Sequence, residues 1–186
     1  MNTFAKIDRA TFLRFAAEHP QQRFELERGR IVQQMTGGTR RHGIVARRIS
    51  QILERQVDSS RWSVANERGV GVGDSERYPD VVVEPADEPL ESLETERPSI
   101  IVEVLSPATT ATDLNTKPTE YFAIASLDAY IVASQDEAAM LVWVRDEKGQ
   151  FADTGREVVG IDRTVVVKTR WLTATLDLAE IYHGIA

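Results

Sequence analysis

Cysteine is absent from this chain. That excludes disulfides and thiolate metal sites. Any bound metal must rest on Asp, Glu, the three histidines and carbonyl oxygens, a donor set for hard cations such as Mg²⁺ or Mn²⁺. Long apolar runs are also missing. Nothing approaches the roughly 20 residues of a membrane span, and the opening MNTFAKIDRATFLRFAAEHP lacks the apolar stretch of a secretion signal. A cytoplasmic location away from any membrane is the expectation. Positive charge is in deficit: the formal net charge is −7. Overall basicity therefore cannot hold nucleic acid, and only a local basic surface could. Repeats and low-complexity linkers are lacking too. The 186 residues, 42% of them hydrophobic, suit one domain over 1–186.

The charge that is present is unevenly spread. Glu84, Asp87, Glu88, Glu91, Glu94 and Glu96 crowd one stretch, which reads as a solvated loop. Arg40, Arg41, Arg47, Arg48 and Arg55 crowd another. Hydrophobic spacing predicts a short helix over 9–18 and a hairpin over 23–35 turning at Arg28-Gly29. A second helix is predicted from a Thr39 cap to about Val57. Its apolar face carries Val45, Ile49, Ile52 and Leu53, with His42 on the same side. Arg41, Arg48 and Arg55, spaced by seven, form a stripe beside that face. Strands are predicted near 62–72, 80–84, 99–105, 129–134, 139–145 and 164–168. Helices are predicted near 115–126, with Thr116 as cap, and near 176–182. The turn Asp146-Glu147-Lys148-Gly149 should close a hairpin. The order describes a mixed α/β domain with a central sheet.

The strand Ser99–Leu105, SIIVEVL, places the ionisable Glu103 within an apolar run. A carboxylate left unpaired there costs several kcal/mol, so a cation, a proton or a strand end must compensate it. Asp80 opens the preceding strand after Pro79, a residue suited to a strand's first position. If the two strands are neighbours, both acids meet on one side of the sheet, where a divalent metal would offset their repulsion. Lys117 stands at the start of the following helix, able to point back over the strand's end. Two acids and a lysine around a metal are the parts that phosphodiester hydrolysis needs.

At this point the chain resembles the PD-(D/E)XK nuclease superfamily. More closely it is similar to the Uma-type restriction endonuclease family, through FELERGRIV, RHGIVARRI, YPDVVVEP, IIVEVLSPAT and DLNTK over roughly residues 10 to 182. The resemblance implies a restriction-endonuclease-like α/β fold: a mixed central β-sheet flanked by helices, with an N-terminal helix and hairpin. It implies a Mg²⁺- or Mn²⁺-dependent endonuclease acting on nucleic acid, with DNA the expected substrate. Asp80 and Glu103 match the metal-binding acids, with the backbone carbonyl of Val104 as a further ligand. The superfamily lysine normally sits two residues after the second acid. That position is Leu105 here, and Lys117 matches a lysine relocated to the next helix. Glu25 matches an accessory acidic residue. Arg41, Arg48 and Arg55 would supply the phosphate-contacting surface such a function needs. A homodimer would suit cleavage of both strands.

Other readings stand beside this one. The fold could persist as a non-catalytic module that binds nucleic acid or protein. Asp113 reads as a turn or cap residue, and His42 as a histidine satisfied within the core. Gly69-Val70-Gly71-Val72-Gly73 leads into a strand where a dinucleotide loop needs a helix.

Overall fold

The computed structural model describes residues 6–34, 38–106 and 112–185. Helix α1 (Arg9–Glu18) is capped by the Asp8 carboxylate, which accepts the Thr11 N–H at 2.7 Å. A hairpin follows, β1 (Arg23–Glu27) and β2 (Arg30–Gln34). It turns at Arg28 and Gly29 with φ of 49° and 81°, the two positive values that a tight hairpin turn requires. Helix α2 (Arg40–Glu54) starts at Thr39, whose hydroxyl accepts the His42 N–H. It buries Val45, Ile49, Ile52 and Leu53 on one face, as the spacing predicts.

The expected strand over 62–72 divides into β3 (Trp62–Ala65) and β4 (Gly69–Val72), which join different sheets. β5 (Ser75–Arg77), β6 (Val81–Pro85), the short β7 (Glu94–Thr95) and β8 (Ile100–Leu105) come next. A π-helical turn at Thr112–Thr116 runs directly into helix α3 (Lys117–Tyr121). That helix stops earlier than expected. Thr116 is already helical and makes no cap bond, which corrects its expected role. β9 (Ala129–Ser134), β10 (Ala139–Val144), β11 (Arg156–Val159), β12 (Thr164–Lys168), β13 (Thr173–Asp177) and α4 (Leu178–Tyr182) complete the chain. Asp146 organises the turn through Gly149, but β10's partner, β11, begins only at Arg156.

The central sheet has six strands in the order β11-β10-β9-β8-β6-β3. Only β8 and β9 run parallel within it. A five-stranded sheet, β2-β1-β5-β4-β7, and the β12-β13 hairpin accompany it. Side chains alternate across a strand, and this assigns the two faces of the central sheet. Val81, Val83, Ile100, Val102 and Val104 pack with α2, β12–β13 and α4. Val82, Ile101, Tyr130 and Val132 pack with Tyr121, Leu127 and Trp143 on the other face. Asp80 and Glu103 fall in step with this second set. The register pairs Val81 with Val102, so one step further sets Asp80 opposite Glu103.

The acidic stretch is only in part the solvated loop that the sequence suggests, since Asp87, Glu91 and Glu96 are exposed. Glu84 is buried against Arg68 at 3.2 Å. Glu94 and Glu96 clasp Arg9 of α1, and Arg97 holds Asp87 and Glu88, each at 3.0 Å. Arg9 and Arg68 reach the run from elsewhere in the chain, and Arg97 lies at its end.

Candidate active site

Asp80 stands where the chain enters β6, half-buried, with a defined orientation. Its Oδ2 accepts the backbone N–H of Val104 at 2.7 Å. The same oxygen lies 3.3 Å from His42 Nε2. That contact, more than any other influence, raises the His42 pKa above its ordinary value, against the burial that lowers it. Gly38 leaves the ring its space: a Cβ there would lie 2.9 Å from His42 Nδ1. His42 is thus a member of the site and not a core histidine. Val104's N–H faces the β6 edge of β8, and its carbonyl shares that edge. The carbonyl is therefore on the Asp80 side.

Glu103 is 4% exposed. Lys117 Nζ donates to its Oε1 at 2.8 Å, and the Tyr121 hydroxyl donates to the same atom at 3.0 Å. Burial nevertheless holds the Glu103 pKa well above the ordinary carboxylate range, with Lys117 pulling the other way. Lys117 is as deeply buried. Burial lowers its pKa, but Glu103, Glu25 and Asp113 outweigh that and keep it above the ordinary lysine value. Pro118 sits within the first turn of α3 and leaves Lys117 in place.

Leu105, where the superfamily lysine would stand, packs into the apolar cluster on that face of the sheet. Lys117 reaches Glu103 from the helix instead. Asp113, expected to serve a turn, is buried with Oδ1 2.9 Å from Lys117 Nζ, one helical turn away. Its carboxylate is off alignment for a hydrogen bond, and Oδ2 finds no donor among the described residues.

Glu25 joins from β1. Its Oε1 lies 3.9 Å from Lys117 Nζ, while its Oε2 accepts from Arg77 and from Gln34, each at 2.9 Å. Arg77 is fully buried and also donates to Glu120 Oε2 at 2.8 Å. Glu120 accepts the Ser75 hydroxyl as well. Sequence reasoning missed Arg77 and Glu120. The one available signal was Glu120 three residues after Lys117, on one side of a short helix.

The arginine stripe lies elsewhere. Arg48 donates to the carbonyls of Ile181 and His183 at 2.7 and 2.8 Å. Arg55 pairs with Glu180, and Arg41 with Asp136 at 3.4 Å. The stripe binds α4 and the turn between β9 and β10.

Asp80, Glu103, Lys117, Glu25 and His42 line one cleft of about 350 Å³. Carboxylates outnumber cations around it, and Glu103 is protonated more readily than a free acid. The donors are hard oxygens with one imidazole, which fits Mg²⁺ or Mn²⁺. No group of three His, Asp or Glu among the described residues is arranged to hold a metal unaided, so carbonyl or water oxygens would complete the shell.

The profile of a family described as "Putative restriction endonuclease", Uma2, matches residues 9–169. A crystal structure from Anabaena variabilis, described as a putative nuclease of the DUF820 family, superposes with a TM-score of 0.65. The two chains share 18% identity over 88% of this chain and 91% of that one. No curated protein shows a significant sequence match. The fold is the restriction-endonuclease-like α/β fold that the motifs implied.

Proposed function

The chain belongs to the Uma2 family of restriction endonuclease-like proteins, and from that premise we propose that it is a metal-dependent endonuclease hydrolysing phosphodiester bonds of DNA. The observation that carries this reading is the meeting of Asp80, Glu103 and Lys117 in one cleft, from β6, β8 and α3. Mg²⁺ or Mn²⁺ held by Asp80, Glu103 and the Val104 carbonyl would supply an acidified water and neutralise charge on the phosphate. Asp80 is aimed by the Val104 N–H and by His42. The carboxylates around Lys117 hold its pKa above the ordinary lysine value, which favours an ammonium there over a base. Lys117 presents a positive charge and an N–H donor to a phosphate oxygen, or orients the attacking water. Glu25, tethered by Arg77, borders Lys117 as an accessory group.

The alternative, a non-catalytic module on the same fold, draws support from the direct Lys117–Glu103 ion pair. Plasmid and single-stranded DNA incubated with Mg²⁺, Mn²⁺ or EDTA separate the two. Metal-dependent cleavage that Asp80→Asn abolishes is the expected result. Binding without cleavage under every metal would favour the module.

A further inference from the structure

The cleft has features that phosphodiester chemistry does not require. Phe24 of β1 and Tyr78, just before Asp80, line it alongside the acids and Lys117. Both residues are half-buried. The Phe24 ring packs against α1: the Phe15 ring lies 4.9 Å away edge-on and the His19 ring 6.1 Å away. Tyr78 is anchored through its backbone N–H to Glu25 Oε1. Gln22 and Gln34 also line the cleft, the Gln34 amide donating to Glu25 and the Gln22 carbonyl accepting from Gln33.

We propose that this cleft is a nucleotide pocket, which takes one unpaired DNA nucleotide with its base against Phe24 and Tyr78. The inference rests on the nuclease reading for its substrate class and extends it. Three observations support it. The volume of about 350 Å³ is at the low end for small-molecule pockets, a scale suited to a single nucleotide. Aromatic faces beside a phosphate site recognise bases that are not stacked within a duplex. The chain is also acidic overall, with a net charge of −7, and Arg48 and Arg55 are paired with the α4 region and Arg41 with a turn. Tight duplex binding draws on many phosphate contacts, whereas a stacked base needs few.

The test measures binding in EDTA, so that no strand is cut. A fluorescent single-stranded oligodeoxynucleotide, its matched duplex, and a duplex with one mismatch are titrated by anisotropy. Wild-type protein should bind the single strand tightest and the mismatched duplex more tightly than the matched one. Phe24→Leu keeps the apolar packing against Phe15 while removing the π face. It should weaken single-strand binding about five- to a hundredfold, the range carried by base–aromatic stacking, and leave matched-duplex binding unchanged. Tyr78→Leu should act in the same direction. Circular dichroism and melting of both variants establish that they fold. Equal or tighter binding of the matched duplex would overturn the proposal. So would single-strand affinity that neither folded variant reduces. Failure to cleave with any metal would remove the nuclease reading alone, because the binding measurement does not depend on it.

Discussion

Asp80 Oδ2 accepts the backbone N–H of Val104 at 2.7 Å, joining the acid that opens one strand to the residue that follows the acid of the next. This bond ties the Asp80 carboxylate to the backbone of β8 beside Glu103, at one end of two interior strands of the sheet. It also implies that neither acid can be repositioned without disturbing the end of β6 or β8.

Divalent metal should stabilise the fold through that pair. At a hundredfold excess over its dissociation constant, one Mn²⁺ contributes about 2.7 kcal/mol. Thermal melts of wild type should rise with Mn²⁺, and those of Asp80→Asn combined with Glu103→Gln should not. Equal shifts in both proteins would put the cation elsewhere.

Lys117→Ala should lower the cleavage rate by about 10²–10³, the scale of losing one charge-stabilising donor. It should also destabilise the protein, because Glu103 and Asp113 are left buried without their cation. Removing one partner of a buried pair costs about 3–5 kcal/mol. Stability should partly recover at acidic pH, where the orphaned carboxylates take up protons. Full activity in a folded Lys117→Ala protein would end the catalytic assignment.

Arg77→Met should cost a similar amount in urea unfolding, since Glu25 and Glu120 both lose their buried guanidinium. Adding Glu120→Gln should restore part of that loss. The double-mutant cycle reads the coupling directly, and additive effects would show that Arg77 acts independently of α3.

Stability should fall as pH rises from about 4.5 to about 9 because of Glu76. Burial, then its contact with Glu94, pushes its pKa up to about 9. Glu76 Oε1 and Glu94 Oε2 are buried without a donor among the described residues, and a proton on Glu76 would let the two interacting carboxyl groups share a hydrogen bond. The folded state therefore holds a proton that the unfolded chain releases in this window, and the sign of the linkage is loss of stability with rising pH. The slope cannot exceed about 1.4 kcal/mol per pH unit for one proton. Glu76→Gln should flatten it, raising the melting temperature at pH 8 and changing little at pH 4.5. An unaltered slope would move the proton elsewhere.

Replacing Arg41, Arg48 and Arg55 together by Gln should leave the salt dependence of DNA binding unchanged while lowering stability through the lost Arg48 contacts to α4. A salt slope reduced by about 0.9 per lost contact would instead return these residues to the phosphate surface.

Local pattern alone determined much of this protein. Period-two alternation in VVVEP and IIVEVL set Glu103 on the face shared with Ile101. The Thr39 cap and the apolar face of α2 were legible, as was the turn at Arg28-Gly29, because each depends on residues a few positions apart. The motif PD, EV and a delayed lysine identified the family and nominated Asp80, Glu103 and Lys117. Tertiary structure decided what those signals could not carry. The adjacency of β6 and β8 made Asp80 and Glu103 neighbours. Tertiary burial placed the local Asp113–Lys117 pair, four residues apart, beside Glu103. Arg77 joined Glu25 to Glu120 across 52 and 43 residues. The arginine stripe looked like an open surface because nothing local reveals that α4, more than a hundred residues later, packs against it. Charges find their partners in space, and long-range ion pairs leave no period in the chain.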